Sequence, residues 1–408
     1  MNADDTALKF NPYSLDFQQD PYSYYAKLRQ QKPVLALAND MYMITRFSDI
    51  RSLMSNAATS VRYIPNSVNE LKQGDIPNLV ELGKSAIVFT DPPYHARLRK
   101  LMNKGFSRAS LHQFNDLIAA TVAELLEPHL DGETFDFVAE VAHQVPLMTI
   151  SRLLGVAEDK MAGLDEQLLF LRQILDPSLH TARRIKKFEA TFAACISYFE
   201  QLIADTTQST RNNLLSRLID SRLAEDRLSI TEIVVGCVLT YIAGHETTKS
   251  VISSGVLAFA KNPQQWALLR NDPALLPLAI EEILRYEAPL QQTVRIINDE
   301  IQVSGHSMKK GDKLLLCIGS ANRDPAVFEN PDVFDITRPA HVNLAFGVGM
   351  HNCIGQHLAK TEAMMVFDYL LKQVSRFELT DTSTPQWANQ GVITRSLQQL
   401  NTRFVVAK

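Results

Sequence analysis

The spacing of hydrophobic residues predicts a mainly helical chain with two short β-rich regions. Apolar positions recur at helical spacing over residues 97–260, where turn signals interrupt them. These signals lie at Pro128, Asp131-Gly132, Pro146 and Pro177. Residues 41–45 have a strand pattern, and residues 294–318 contain short β-branched runs around Ser304-Gly305 and Lys310-Gly311. We therefore expect one small sheet near the N-terminus and a second one after residue 294.

Residues 322–339 are rich in proline and asparagine but also contain apolar residues. Phe328, Val333, Phe334 and Ile336 would be poorly placed in a solvated linker, so we expect an ordered meander here. No stretch is long and polar enough to separate domains, and no repeat is evident. We therefore expect a single domain over residues 1–408.

The longest predicted helix begins at Ser229, whose side chain can cap it together with Glu232 three residues later. No proline follows until Pro263, so the helix would span roughly 45–50 Å at about 1.5 Å per residue. Between residues 233 and 260 every charge lies in residues 245–250, which read His-Glu-Thr-Thr-Lys-Ser. A membrane span needs about 18 uninterrupted apolar residues, so a central helix of a large core is favoured. The polar segment either has a function inside that core or forms a solvated stripe.

The strongest chemical signal is a glycine-punctuated loop with one cysteine. Residues 346–355 read Phe-Gly-Val-Gly-Met-His-Asn-Cys-Ile-Gly, and apolar residues at helical spacing follow. Gly347 and Gly349 let the loop fold tightly, with amide hydrogens directed at the Cys353 sulfur. Because the cysteine comes directly before a helix, we expect the helix dipole to lower its thiol pKa. Gly355 leaves room for a flat ligand, so the loop indicates a thiolate offered to a metal.

This loop, with its pattern Phe-x-x-Gly-x-His-x-Cys-x-Gly, resembles the haem-binding loop of the cytochrome P-450 superfamily of haem-thiolate monooxygenases. The resemblance implies haem b, with its iron bound by the Cys353 thiolate. It also implies a mainly α, single-domain fold with small β sheets, in which haem lies between the long central helix and the helix after the cysteine. Phe346, Gly347, His351 and Gly355 would contact the cofactor. Judged alone, Cys353 is either a metal ligand, an inert buried cysteine, or a nucleophile with His351 as its base.

A second motif lies in the middle of the long helix. Residues 243–248 read Ala-Gly-His-Glu-Thr-Thr, which resembles the distal haem-pocket motif of the same superfamily. By that match Glu246 and Thr247 are the catalytic pair, which relays protons from solvent during oxygen cleavage. Ala243 and Gly244 would lie beside the haem, and Gly244 would let the helix open locally. Family members specialised for peroxide commonly lack this pair, so its presence favours dioxygen with an electron donor.

An enclosed haem also needs donors for its two propionate groups. The segment that contains His95 and Arg99 resembles the segment that supplies such donors in the family. Arg295 and His351 match the other two donors. Taken singly, each of the four side chains would be assigned a surface or structural role, but together they form a coherent anion site.

The resemblance further implies a structural ion-pair triad. Glu282 and Arg285 lie on one helix face, and Arg338 in the meander would complete the triad. Because a guanidinium can bind a carboxylate through two hydrogen bonds, two arginines about one glutamate would fasten the meander to the helix.

Composition limits the classes of function. The chain has 408 residues, of which 46% are hydrophobic, and its formal net charge of −4 gives no overall electrostatic case for nucleic-acid binding. Its four cysteines are far apart and form no Cys-x-x-Cys pair, which argues against a disulfide framework and a cysteine zinc cluster. The N-terminus is polar and acidic without an export signal, so we expect a cytoplasmic protein without a membrane anchor.

The expected activity is insertion of one oxygen atom from O2 into an apolar small molecule, by hydroxylation or epoxidation. Electrons would come from a ferredoxin and ferredoxin reductase pair or from a flavodoxin-type donor. An acidic donor could dock on basic residues near the cysteine loop, namely Arg97, Lys100, Lys104, Arg108 and Lys360. The alternatives are a haem-thiolate sensor or carrier without turnover, a peroxide-driven oxygenase, and a cysteine hydrolase.

Substrate choice depends on segments that the motifs leave open. We expect residues 63–88, 168–185, 289–296 and 392–397 to shape the pocket, and an apolar lining there suits a free lipophilic molecule or a carrier-tethered chain equally. His245 stands where the family usually has an apolar residue. It either tunes proton entry or faces away from the pocket.

Overall fold

The computed structural model describes residues 11, 14–63, 76–176, 179–207, 213–223, 226–339, 342–380, 385–388 and 392–407. The α-helices are α1 (Leu15–Gln19), α2 (Pro21–Gln31), α3 (Phe47–Ser55), α4 (Pro77–Ser85), α5 (Tyr94–Phe106), α6 (Arg108–His112), α7 (Asn115–Leu126), α8 (Gln144–Leu154), α9 (Glu158–Arg172), α10 (Ala182–Thr207), α11 (Leu214–Ile219), α12 (Ile230–Lys261), α13 (Pro263–Asn271), α14 (Leu276–Tyr286), α15 (Ile318–Ala321) and α16 (Gln356–Gln373). Short 3-10 helices lie at Ile87–Phe89, Glu127–Asp131, Gln173–Leu175, Pro273–Leu275 and Gly349–His351, and a π-helical turn at Val138–Ala142.

The strands are short and form small sheets, so the predicted mainly α fold is confirmed. They are β1 (Val34–Ala36), β2 (Met41–Ile44), β3 (Thr59–Ser60), β4 (Thr134–Asp136), β5 (Arg222–Leu223), β6 (Asp226–Arg227), β7 (Gln292–Ile297), β8 (Ile301–Val303), β9 (His306–Met308), β10 (Lys313–Cys317), β11 (Val374–Leu379), β12 (Gln386–Trp387), β13 (Leu397–Gln399) and β14 (Asn401–Val406).

Helix α12 is the long central helix that the sequence predicts. The Ser229 hydroxyl accepts a hydrogen bond from the Glu232 backbone N–H, and the Glu232 side chain accepts one from the Ser229 N–H, which is a complete capping box. The 32 residues correspond to about 48 Å of helix. Most of its residues are buried, and α8, α9, α10, α14 and α16 all contact it. None of the described helices has the length and apolar character that crossing a bilayer requires.

The two predicted β regions join in one five-stranded sheet with the order β1-β2-β10-β7-β3. β2 runs parallel to β10 with Met43 opposite Leu315, and β7 runs antiparallel to β10 with Val294 opposite the same residue. Strands β8 and β9 form a separate two-stranded sheet whose turn is Ser304-Gly305, as the hairpin pattern predicts. The expectation of two sheets is therefore confirmed for this hairpin and wrong for β7 and β10, which join the N-terminal strands. A second sheet has the order β11-β14-β4, and its three-residue strand β4 is too short to give a recognisable alternation in the sequence.

Two local predictions also need correction. Pro146 lies inside the first turn of α8 instead of in a turn between helices, because the first turn of a helix has no intrahelical acceptor for its N–H groups. Val333 in the meander is 54% exposed, whereas Phe328, Phe334 and Ile336 are buried as expected. Pro177 lies outside the described residues.

The meander is fastened to α14 by the triad that the resemblance implies. Arg285 donates two hydrogen bonds to the Glu282 carboxylate, of 2.7 and 2.8 Å, and Arg338 Nε lies 3.3 Å from the same carboxylate. Arg285 and Glu282 are both buried. The buried apolar residues of the chain form two clusters, one made mostly by the helices and one around the five-stranded sheet. The single domain over residues 1–408 stays a prediction.

Candidate functional site

The cysteine loop has the tight geometry that its glycines predict. Gly347 and Gly349 have φ angles of +65° and +76°, in the left-handed region that favours glycine. The Cys353 amide donates a 2.8 Å hydrogen bond to the Phe346 carbonyl, which closes the loop. Gly355 is the N-cap of α16, so the cysteine lies just before a helix as predicted.

The Cys353 thiol is surrounded by hydrogen-bond donors and lines a cavity. Burial raises the pKa of this thiol, while the backbone N–H groups of Gly355 and Gln356 and the Arg99 guanidinium oppose the shift. The expectation of a lowered thiol pKa is wrong for the thiol by itself, because burial outweighs the helix terminus. The same donors would stabilise a sulfur that carries negative charge in a metal bond.

Helix α12 provides another wall of the cavity, through Ala243, Gly244 and Thr247 among others. The Thr247 hydroxyl donates a 2.7 Å hydrogen bond to the Ala243 carbonyl. A Cβ added at Gly244 would lie 3.0 Å from Ile150 Cδ1, so this glycine permits close packing against α8. Because α12 is helical over its whole length, the predicted local opening at Gly244 is not observed.

Glu246 is buried inside the core, with 2% of its surface exposed. The Ser396 hydroxyl donates a hydrogen bond to its Oε1, and Lys249 Nζ lies 3.5 Å from the same oxygen. Burial by itself raises the pKa of Glu246, but the charges of Arg172 and Lys249 and the Ser396 hydrogen bond outweigh it and lower the pKa to about 2. The solvated-stripe alternative is therefore wrong, and Glu246 is an anion at neutral pH.

Four cationic or titratable side chains meet at the cavity, as the propionate hypothesis requires. They are His95, Arg99, Arg295 and His351. The two imidazole rings have centroids 4.1 Å apart. Arg99 donates to the backbone carbonyl and to Oδ1 of Asn352, at 2.5 and 2.9 Å, and Arg295 donates to the carbonyl of the preceding residue at 2.8 Å.

This cationic cluster has little negative charge to balance it. Burial lowers the pKa of Arg295 to about 10, and burial with the neighbouring cationic groups lowers the pKa of His351 to about 3. Among the described residues, the carboxylate within ion-pair range of the cluster is that of Asp91, 4.0 Å from His351 Nε2. The buried Arg295 and half-buried Arg99 guanidiniums have no carboxylate partner among the described residues. Because an anion would stabilise both, the residues present fit the propionates of haem.

The cavity consists of two adjoining chambers of about 270 and 260 Å³. Every predicted site residue lines at least one of them: His95, Arg99, Ala243, Gly244, Glu246, Thr247, Arg295, Phe346, Gly347, His351, Cys353 and Gly355. Most other lining residues are apolar, including Val61, Val88 and Leu290 in both chambers. Residues that lie more than 250 positions apart in the sequence therefore meet around one space.

Comparison with known proteins agrees with this geometry. Residues 132–400 match the family model described as Cytochrome P450. The chain belongs to the cytochrome P450 family. The biotin biosynthesis cytochrome P450 of Bacillus subtilis (strain 168) is 32% identical over 374 residues, which cover 90% of this chain and 92% of that protein. Cytochrome P450 107B1 of Saccharopolyspora erythraea is 31% identical over 397 residues, covering 95% and 96% of the two chains.

A solved structure with a similar fold is P450BioI in complex with an acyl carrier protein ligated to hexadec-9Z-enoic acid. It has a TM-score of 0.89 and 29% identity, and the match covers 97% of this chain and 100% of that one. As a cytochrome P450, this chain is a haem-dependent monooxygenase that uses O2 and a redox partner. The predictions of the family, of the fold class and of a monooxygenase are confirmed.

Two residues of this P450 cavity were missed by the sequence reasoning. Glu362 on α16 lines the first chamber and is 1% exposed; burial raises its pKa to about 8, against the effect of the Thr149 hydroxyl. An acid four residues after Leu358, on the apolar face of the helix, was a signal that could have found it. Arg172 lines the second chamber and lies in the segment 168–185 that was expected to shape the pocket, but its local sequence did not single it out.

The proposed docking residues of the P450 are only partly free. Arg97 is 2.8 Å from Asp226 and 2.6 Å from Glu232, and Lys360 is paired with Glu281. These two cations are engaged in ion pairs within the chain, and docking of a donor on this surface stays a prediction. Three exposed basic residues remain, Lys100, Lys104 and Arg108.

Proposed function

We propose that this P450 inserts one oxygen atom of O2 into an apolar small molecule, by hydroxylation or epoxidation, with haem b as its cofactor. Two electrons come from a ferredoxin and its reductase, or from a flavodoxin-type donor. The observation that carries the proposal is a mostly apolar cavity that Cys353 shares with Glu246 and Thr247. A thiolate ligand, a proton relay and an apolar binding space are the three requirements of such a reaction.

The haem would be held from three directions by this chain. Cys353 would bind the iron, Phe346 and Gly355 would contact the ring, and the cations Arg99 and Arg295 would bind the propionates. A thiolate-ligated haem supplies the activation of dioxygen when bound.

Side chains of the chain itself would relay the protons from solvent. The Thr247 hydroxyl now bonds the Ala243 carbonyl, and rotation of its side chain would turn the proton toward the cavity. Glu246, held as an anion, would accept protons from solvent and pass them on. Three buried oxygens near this route, Glu246 Oε2, Thr248 Oγ1 and Glu362 Oε1, have no protein partner among the described residues, so they are suited to hold ordered water.

The apolar lining of the cavity supports an apolar substrate. Val61, Val88 and Leu290 border both chambers, and Ile393 borders the second. Burial of an apolar molecule against them contributes about 25 cal/mol per Å², and excludes bulk water from the reacting centre.

The test begins with the absorption spectrum of the reduced protein exposed to carbon monoxide. We expect a strongly red-shifted Soret band for the wild type, loss of that band in Cys353→Ser, and an unchanged band in the control Cys195→Ala, whose cysteine is buried elsewhere. A lipophilic library is then screened for spectral shifts, and the compounds that bind are turned over with a ferredoxin system. An unaltered spectrum and undiminished oxygenation in Cys353→Ser would refute the proposal. Turnover with peroxide alone, and none with ferredoxin, would refute the proposal that a ferredoxin-type donor supplies the electrons.

A second candidate substrate is an acyl chain carried by an acyl carrier protein, as in the P450BioI complex. The observation that favours it here is a run of four basic residues within positions 183–187 at the start of α10, of which Arg183, Lys186 and Lys187 are exposed. This run follows Leu175, which lines the second chamber, by only eight residues. Such a cluster suits a partner with an acidic surface.

This candidate is tested by comparing a free fatty acid with the same chain on a carrier protein. In Arg183→Glu/Lys186→Glu we expect KM for the carrier-bound chain to rise by about tenfold or more, with KM for the free acid unchanged. The control is Lys309→Glu/Lys310→Glu, which makes the same charge change on exposed lysines beyond β9. Equal effects in the two double variants would argue against docking at α10.

A further inference from the structure

A cluster of metal-binding side chains lies outside the haem cavity. It consists of His143, which directly precedes α8, Asp165 on α9 and His245 on α12. Each side chain offers one ligand atom, and the three atoms lie within 4.8 Å of one another. The described part of the chain contains no other group of three or more His, Cys, Asp or Glu side chains with this property.

The contacts within the cluster set the orientation of the rings. His143 Nε2 lies 3.0 Å from Asp165 Oδ2, and His245 Nε2 lies 3.0 Å from the backbone carbonyl of His143. Because a carbonyl only accepts, His245 Nε2 carries the proton and its Nδ1 keeps the lone pair. Metal-binding histidines typically have this arrangement, in which the second ring nitrogen donates to a carbonyl or a carboxylate.

The three groups combine suitable ligand atoms with access from solvent. Asp165 supplies negative charge. The side chains of His143 and Asp165 are 19% and 16% exposed, which leaves a path for an ion from solvent.

We propose that His143, Asp165 and His245 form a binding site for a divalent transition-metal ion of the zinc type, separate from the haem. Two imidazoles and one carboxylate are borderline ligands that suit zinc better than calcium or magnesium. Ligand atoms around tetrahedral zinc are about 3.4 Å apart, so the cluster has to contract by up to about 1.4 Å when it binds the ion. The ion takes the place of the direct contact between His143 Nε2 and Asp165 Oδ2, and water completes the coordination.

The position of the cluster connects it to oxygen chemistry. His245 directly precedes Glu246 and Thr247, and α9, which carries Asp165, ends at Arg172 beside the second chamber. An ion held at the cluster ties α9 to α12 and restrains both walls of the cavity. We therefore expect zinc to lower turnover reversibly. This effect on turnover rests on the proposed roles of Glu246 and Thr247, whereas binding of the ion does not.

The binding test uses the haem-loaded protein, because His95 and His351 form another imidazole pair inside the haem site. Zn²⁺ binding is measured by isothermal titration calorimetry in wild type, His143→Gln, Asp165→Asn and the control His306→Gln, whose histidine is exposed on β9. We expect one saturable site in wild type and control, and binding at least tenfold weaker in the other two variants. Equal affinity in all four proteins, or no saturable binding to the wild type, would overturn the site.

A second measurement separates zinc binding from its expected effect on turnover. The reduced carbon monoxide spectrum verifies that each variant keeps its haem site, and substrate oxidation is then measured with and without zinc. We expect inhibition in the wild type that EDTA reverses, and a response at least tenfold weaker in His143→Gln and Asp165→Asn. Zinc binding to the wild type without any change in turnover would overturn the connection through α12.

Discussion

At the scale of single residues, two buried carboxyl groups near the cavity are held in opposite protonation states. The charges of Arg172 and Lys249 keep Glu246 ionised in spite of burial, with a pKa of about 2. Glu362 has no such cation, and burial raises its pKa to about 8. At neutral pH one group therefore accepts hydrogen bonds and the other can donate one, which is a useful pairing for proton transfer.

We expect the coupling of O2 consumption to product formation to depend on the hydroxyl group of Thr247. In Thr247→Ala the product formed per O2 consumed should fall by about tenfold or more, with hydrogen peroxide released instead, because positioned proton transfer contributes about 10²-fold or more. The matched control is Thr240→Ala: Thr240 also lines the cavity from α12 and bonds the Gly236 carbonyl at 2.7 Å. Full coupling in Thr247→Ala, or the same loss in both variants, would contradict the role of Thr247.

The raised pKa of Glu362 predicts a pH dependence of stability. Between the ordinary pKa of 4.5 and the folded value of about 8, the folded protein holds one more proton than the unfolded protein. Stability from this group is therefore complete below pH 4.5 and is lost as the pH rises toward 8, by about 3–5 kcal/mol at most. Between pH 5 and pH 8, the melting temperature of the wild type should therefore fall increasingly below that of Glu362→Gln. Parallel melting curves at all pH values would show that Glu362 is not buried as a neutral acid.

At the scale of elements, α12 packs so closely against α14 and α16 that one position has no room for a side chain. A Cβ added at Gly255 would lie 2.5 Å from Phe367 Cζ and 2.8 Å from Ile283 Cδ1. Neither contact is possible without a shift of the ring or of a helix. The spacing between the central helix and the helix that follows Cys353 therefore depends on this glycine.

Gly255→Ala should lower the free energy of unfolding by about 1–3 kcal/mol through overpacking. The control is Gly163→Ala on α9, where an added Cβ meets nothing within 4 Å, so alanine should be neutral or stabilise by up to about 1 kcal/mol. Thermal melting of the two variants against wild type measures both effects. A Gly255→Ala protein as stable as Gly163→Ala would mean that the helices separate without cost.

At the scale of the whole molecule, the cysteine loop joins the two hydrophobic clusters. Leu344 belongs to the cluster around the five-stranded sheet, whereas Leu358 belongs to the helical cluster. The cavity cations come from both regions as well, with Arg99 on α5 and Arg295 on β7. An anionic ligand in this position would therefore connect the two halves of the core.

Removal of the haem should loosen this junction more than the rest of the molecule. Without the propionates, the buried Arg295 and the half-buried Arg99 would lack an anion. Ligand linkage alone contributes about 4 kcal/mol at a ligand concentration of about 1,000 times Kd. We expect faster amide hydrogen exchange at residues 344–358 in the apoprotein and little change in the β11-β14-β4 sheet. A uniform change in exchange across the chain would contradict this prediction.

The sequence by itself determined the features that depend on neighbouring residues. Three such features depend on contacts within a few residues and could be predicted from the local sequence. They are the capping box at Ser229, the left-handed conformation of Gly347 and Gly349, and the position of Cys353 before a helix. The spaced motifs were specific enough to indicate the family and the fold class. The predicted site residues of the cavity could be named because each lies in a segment that resembles one of the family's.

Only the tertiary structure decided which side chains from distant segments meet. Three features depend on packing between parts of the chain that are far apart in sequence. They are the pairing of β2 with β10, the ion pairs of Arg97 and Lys360, and the burial of Glu362. His245 is the clearest case: the sequence left its direction open, and the structure turns it away from the cavity toward His143 and Asp165. Local sequence fixes the helix, whereas the face that each residue presents to a neighbour depends on which segments pack there.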